Sequence, residues 1–199
     1  MKEKIIFTNG LIDLAQPRLG TKVLFKTDDF FASANRIISP MDPIFKTGVF
    51  DTHGKWMDGW ESRRKRTEGH DYIILKLGKP GKIKKVDVDT SHFNGNQPAM
   101  VSIEGANSSS HKINHLKWQT LLSKKKTKAN SHHYFTVNSK KVFTHIKFNI
   151  FPDGGVARLK LYGSIAKSEK LKNKKMNLAS LLDGASVIAC NNEHFGKAE

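Results

Sequence analysis

A single cysteine, Cys190, among 199 residues leaves no intramolecular disulfide framework and fits a reducing compartment, here read as the cytoplasm. Apolar runs are short: none approaches the ~20 residues of a membrane-spanning helix. The opening Met1–Phe7 has too brief an apolar stretch for a signal peptide. Acidic residues are scarce, 18 against 34 Lys and Arg, for a net charge of +16. That balance invites a nucleic-acid reading. Against it, lysine outnumbers arginine 28 to 6, and the clusters Lys124–Lys126 and Lys170–Lys175 carry no interleaved aromatics. The excess is read instead as attraction for a small anion, with no nucleic-acid and no membrane partner. Long amphipathic helices are missing as well.

What is present is alternation. Apolar or alternating runs fall at Thr21–Lys26, Tyr72–Leu77, Lys82–Asp89, Met100–Gly105, Lys117–Leu122, His133–Val137, Phe143–Phe151 and Val156–Tyr162. Clusters of Gly, Pro, Asn or Ser separate them, the punctuation of an all-β sandwich or barrel. Asp28 is placed to cap a short helix over Asp29–Asn35. Residues 107–115 and 123–132 read as polar loops. Thr144–Gly163 reads as two strands joined by a Pro152-Asp-Gly-Gly155 hairpin turn.

Chemistry-bearing side chains concentrate in two places. Residues 56–71 hold Asp58, Glu61, Arg63, Arg64, Arg66, His70 and Asp71, between glycines at 59 and 69 that break regular structure. Polar groups on such a loop above a rigid scaffold are where binding and catalysis tend to sit. Residues 86–96 begin as a strand with Asp87 and Asp89 on one face. They end at the turn pair Asn94-Gly95, which leaves His92, Asn94 and Asn96 near the strand end.

Four motifs in order carry a resemblance. They are Trp56-Met-Asp-Gly-Trp-Glu-Ser-Arg-Arg64 with His70-Asp71; Val86-Asp-Val-Asp-Thr90 with Phe93-Asn-Gly-Asn96; Val101-Ser-Ile-Glu-Gly105; and Thr144-His145 with Phe151-Pro-Asp-Gly-Gly-Val-Ala-Arg158. Over residues 11 to 163 the chain resembles the allantoicase (allantoate amidinohydrolase) family. The resemblance implies a jelly-roll β-sandwich of the galactose-binding-like type, in two tandem copies. It also implies a hydrolase of purine (allantoin) degradation that splits allantoate into ureidoglycolate and urea. Aligning Ile12–Asn35 on Met176–Glu199 at a constant offset of 164 matches Leu14, Ala15, Gly20, Val23, Phe31 and Ala34 with Leu178, Ala179, Gly184, Val187, Phe195 and Ala198. Two copies at that spacing need about 328 residues. The expected organisation is therefore one repeat over 1–163, a linker over 164–175 and the start of a truncated second repeat over 176–199.

Allantoate is a carboxylate on a carbon bearing two ureido groups. Cleaving one C–N bond requires a proton for the departing urea, stabilisation of an imine-like centre and delivery of water. Arg63 or Arg64 is the expected carboxylate holder, because the guanidinium fork binds carboxylates bidentately; the alternative is a salt bridge to Glu61 or Asp71. His92 and His70 are the acid–base candidates, against simple hydrogen-bonding roles. Glu61 and Asp58 activate water or bind urea nitrogens, although Asp58-Gly59 also suits a turn. Asp71, Asp89, Asn94 and Asn96 supply further donors and acceptors for the ureido groups. Asp153, Arg158 and His145 are read as structural.

No HxxH or HExxH spacing occurs, so no metal and no cofactor is assigned. His70-Asp71 and His92 with Asp89 offer ligand types for a divalent cation without fixing a geometry. Association into a homo-oligomer is left open. The competing class is a non-catalytic jelly-roll module binding a ligand or carbohydrate, with Trp56 and Trp60 as its aromatic candidates.

Overall fold

The computed structural model describes residues 10–110 and 112–166, together with 177, 179, 180 and 185. The linker expected over 164–175 and the second-repeat start over 176–199 fall largely outside the described residues. Among the described residues there are twelve strands: β1 (Ile12–Asp13), β2 (Lys22–Lys26), β3 (Phe50–Asp51), β4 (Gly54–Lys55), β5 (Trp60–Glu61), β6 (Asp71–Asp89), β7 (Met100–Ala106), β8 (Gln119–Lys126), β9 (His132–Thr136), β10 (Phe143–Phe151), β11 (Gly155–Val156) and β12 (Arg158–Ile165). Short 3-10 turns occupy Pro17–Leu19, Ala34–Ile38 and Ile113–His115.

The two strands expected over Tyr72–Leu77 and Lys82–Asp89 are one, β6, 19 residues long. Its first half pairs β2 and β10, and its second half pairs β12 and β9. One sheet of the sandwich is thus β2-β6-β10-β7-β8 and the other β1-β12-β6-β9, all antiparallel. The Gly78-Lys-Pro-Gly81 stretch that looks like a break is the bend where β6 changes sheets. There the chain passes close beneath Leu14–Gly20. A Cβ on Gly78 would lie 2.0 Å from the Leu19 carbonyl oxygen, and one on Gly81 2.5 Å from a Leu14 methyl. Inward residues keep their parity through it, at Ile73, Leu75, Leu77 and Ile83, and change it only after Ile83, to Val86 and Val88. A bulge opposite Tyr162–Gly163 absorbs the extra residue. Both inner faces meet in one core with Val101, Ile103, Ile146, Phe148, Leu159 and Leu161.

Three other local expectations need correcting. Phe143–Phe151 and Val156–Tyr162 are not a hairpin: β10 lies in one sheet and β12 in the other, so Pro152–Gly155 is a crossover. Asp28 caps no helix over Asp29–Asn35. Its Oδ1 accepts the Phe30 N–H at 3.1 Å, and the helical turn starts only at Ala34, whose N–H reaches Asp29 Oδ2 at 3.2 Å. The loop expected over 123–132 is strand as far as Lys126. The helix lost because Ala32 bridges Glu61, holding this segment extended.

Candidate functional site

Glu61 sits where three chain segments cross at one end of the sandwich. Trp60, fully buried, turns inward against Phe148 with ring centres 6.2 Å apart, and its Nε1 donates to the Asp28 carbonyl at 2.8 Å. Strand alternation then sends Glu61 the other way. Its backbone is held from both sides, by Ala32 (3.1 and 3.2 Å) and by pairing with Gly155. Close approach of these segments excludes side chains. A Cβ on Gly59 would meet the Val156 carbonyl oxygen at 2.5 Å, and one on Gly155 the Phe93 ring at 1.9 Å.

The Glu61 side chain enters a cleft of about 180 Å³ lined by Phe31, His53, Gly54, Lys55, Met57 and Asn96. Asn96 Nδ2 donates to Glu61 Oε1 at 2.8 Å. Burial pushes the Glu61 pKa above its ordinary 4.5, and the Asn96 bond offsets this in part. A carboxyl biased toward its protonated form, next to an imidazole, an ammonium and a carboxamide, can give a proton and bind an anion in one place. A second cleft of about 230 Å³, along Val23–Lys26 and Asn35, has neither carboxyl nor imidazole. The chemistry therefore points to Glu61.

The remaining sequence candidates are dispersed. Arg63 is engaged twice by Asp28 Oδ2, at 2.7 Å through Nε and 2.6 Å through a terminal nitrogen. Arg64 is exposed and makes no hydrogen bond or ion pair among the described residues. Asp58 accepts from Arg158 at 2.7 Å and from the Ile44 N–H at 3.0 Å. Burial works to raise its pKa, but these bonds outweigh it and hold the carboxyl below its ordinary value. His70 Nε2 donates to Asn149 Oδ1 at 3.1 Å and packs on Phe151, on the outer face of β10. Asp71 is buried, paired with Lys65 at 2.9 Å and Thr27 Oγ1 at 2.9 Å. His92 donates from Nε2 to the Pro43 carbonyl at 3.2 Å and stacks on Phe45. Asn94 is exposed. Of the expected residues, only Glu61 and Asn96 line the cleft.

Asp87 and Asp89 point out of the core yet are about 1% exposed. Lys160 and Tyr134 flank Asp87 in register, and Arg158 and His132 flank Asp89. His132 Nδ1 donates to Asp87 at 3.0 Å, and its Nε2 lies 3.8 Å from Asp89. This is a charge ladder on a sheet, covered by residues 39–44. Among the described residues no three His, Cys, Asp or Glu side chains converge as metal ligands.

Sequence reading missed His53, Lys55, Phe31 and Met57. Phe31 and Met57 look like core positions. His53 and Lys55 sit in Asp51-Thr-His-Gly-Lys55, a polar turn like many others until β3 and β4 pair and deliver both to the cleft.

Residues 12–166 match the family model described as "Allantoicase repeat". A "Probable allantoicase" of Pseudomonas fluorescens (strain Pf0-1) is 46% identical over 200 residues, covering 99% of this chain and 60% of the relative. "Probable allantoicase 2" of Burkholderia mallei is 44% identical over 195 residues, covering 96% and 58%. The chain spans about three fifths of the length of these curated relatives. The crystal structure of allantoicase from Saccharomyces cerevisiae superposes with a TM-score of 0.82 at 30% identity, over 98% of this chain and 61% of that one. A family 32 CBM of C. perfringens NanJ, solved with galactose, shares the fold at 16% identity, TM-score 0.51, over 76% of this chain and 99% of that one. The fold is a galactose-binding-like jelly roll.

Proposed function

The chain belongs to the allantoicase family, and on that premise we propose that its protein hydrolyses allantoate to ureidoglycolate and urea in the Glu61 cleft. The observation that carries the site is the burial of Glu61 with Asn96 as its hydrogen-bond partner, among His53, Lys55, Phe31 and Met57. Lys55 is the cation of this lining, and we assign it the substrate carboxylate. Arg63 is already matched by Asp28, and Arg64 lies outside the lining. Asn96 fixes Glu61 and offers its amide to a ureido group.

Glu61, protonated, donates to the nitrogen of the departing ureido group. That nitrogen leaves as urea with the C–N electron pair, while the lone pair of the remaining ureido nitrogen closes a C=N bond. Water then adds to the carbon and gives ureidoglycolate. No metal is required by these steps. The net charge of +16 favours approach of an anionic substrate. Among the described residues no helix is long and apolar enough to cross a membrane. With one cysteine in the chain, we place the protein in the cytoplasm.

The carbohydrate-module reading loses its aromatic platform. Trp60 is fully buried, and Trp56 lies under Arg36 at 5.2 Å and Lys46 at 4.7 Å. Incubating purified protein with allantoate and assaying urea tests the proposal. Sustained urea release is expected; no turnover above buffer, with or without divalent cations, overturns it.

A further inference from the structure

The β3–β4 hairpin is too small to hold itself. It has two residue pairs, Phe50 with Lys55 and Asp51 with Gly54, and an isolated ribbon even longer than this is marginal in water. Yet it brings His53 and Lys55 to the cleft. Its tip is fastened by one ring contact: His53 lies 4.3 Å from Phe30, centre to centre. Asp51 Oδ1 accepts the His53 N–H at 2.9 Å and sets the turn.

Phe30 is itself held from behind. The Arg63 guanidinium lies 5.1 Å from its ring centre, and Phe31, a cleft residue, meets it edge-on at 5.3 Å. Asp28 organises the whole group. One oxygen accepts the backbone N–H of Phe30 (3.1 Å) and of Arg63 (3.0 Å), and the other takes the Arg63 fork. Two donors of one planar guanidinium converge on a single carboxylate oxygen, which orients the guanidinium over the ring. The order is Asp28, Arg63, Phe30, His53, cleft. An exposed imidazole with no task does not need a support three residues deep.

We infer that His53 is a catalytic residue of the Glu61 cleft, and that Arg63 and Asp28 position it through Phe30. This rests on the cleft reading above. As water adds to the C=N carbon, its proton passes to His53, which becomes imidazolium. Glu61, left as carboxylate when it protonated the departing nitrogen, is reprotonated through solvent as His53 releases that proton. One water is consumed, one C–N bond breaks, one C–O bond forms, and both side chains return to their starting states. The charged groups around His53 are Glu61 and Lys55 in the cleft, Asp51 at its own turn and Arg63 beyond Phe30.

Two readouts test this on the purified 199-residue chain. The first follows the His53 ring proton by NMR, assigned through its loss in His53→Gln. Arg63→Ala should abolish the ring-current shift that Phe30 imposes, and Arg63→Lys, lacking the fork, should recover it only in part. The second readout is urea release from allantoate. His53→Gln should lower kcat by about 10²-fold or more with little change in KM, and remove one limb of the pH profile. Arg63→Ala should lower kcat less and shift that limb, where loss of mere stability would change neither. An unmoved Phe30 ring-current shift in Arg63→Ala overturns the inference, as does wild-type kcat in His53→Gln. In the latter case wild-type turnover persists, so the Glu61 cleft stands and His53 alone falls. Absence of wild-type turnover removes both.

Discussion

Arg158 is about 2% exposed, and each of its guanidinium nitrogens has an acceptor: Nε the Met41 carbonyl at 2.8 Å, one terminal nitrogen the Asp58 and Ala157 carbonyls, and the other Asp58 Oδ2 at 2.7 Å. With Lys160 Nζ on the Ser39 carbonyl at 2.7 Å, it ties residues 39–58 to the outer face of β12. Arg158→Ala leaves Asp58 half-buried without its partner and should cost about 3–5 kcal/mol in denaturant unfolding. The linked pH effect has a definite sign. The Asp58 pKa is lowered on folding, so its ionic contribution is complete above the ordinary 3.8 and disappears as pH falls through the lower folded value. The stability gap between wild type and Asp58→Asn should therefore be flat near neutrality and close only in that acid range. Glu61 has the opposite sign. Its pKa is raised by burial, so its contribution is complete below 4.5 and is lost as pH rises through the folded value. Glu61→Gln should be at least as stable as wild type at neutral pH, measured by thermal melting. A carboxyl that weakens the fold where it is placed fits a site kept for chemistry.

At the level of elements, the longer strands were legible in the sequence because their buried faces alternate, from Ile73-Leu75-Leu77 to Leu159-Leu161, whereas two-residue strands such as β1, β3, β4 and β5 are too short to show a period. What was not legible was which strands share a sheet. Glycine and proline read as a break at 78–81 and as a hairpin at 152–155. The first is a bend within one strand and the second a passage between sheets. The local signal is the same in each case, and only long-range pairing separates the outcomes. The site was partly legible for a related reason. Glu61 and Asn96 were found because their motifs are dense in polar groups. Arg63 was read as a substrate fork, and the fork does bind a carboxylate, but that of Asp28. The crossover gives a direct test. Gly155→Ala places a methyl into the Phe93 ring and should destabilise by about 1–3 kcal/mol. Gly95→Ala, where a Cβ meets nothing within 4 Å, costs only its positive-φ strain of about 1–2 kcal/mol. Chemical denaturation of the pair compares a steric cost with a conformational one.

For the molecule as a whole, charge and site act together. Net charge of +16 sets a positive field around a cleft whose proposed substrate is an anion. The field is screened over about 8 Å at physiological ionic strength. Raising salt should therefore lower kcat/KM chiefly through KM, while kcat, set by groups inside the cleft, changes little. The central claim is that Glu61 gives the proton on which C–N cleavage depends. Its most direct test is the rate of urea release from allantoate by Glu61→Gln beside wild type, with folding checked by melting temperature. Glutamine keeps the shape and the contact with Asn96 but cannot donate a carboxyl proton. The account predicts a loss of about 10²–10⁴-fold in kcat with an undiminished melting temperature; a well-folded variant that releases urea at the wild-type rate contradicts it.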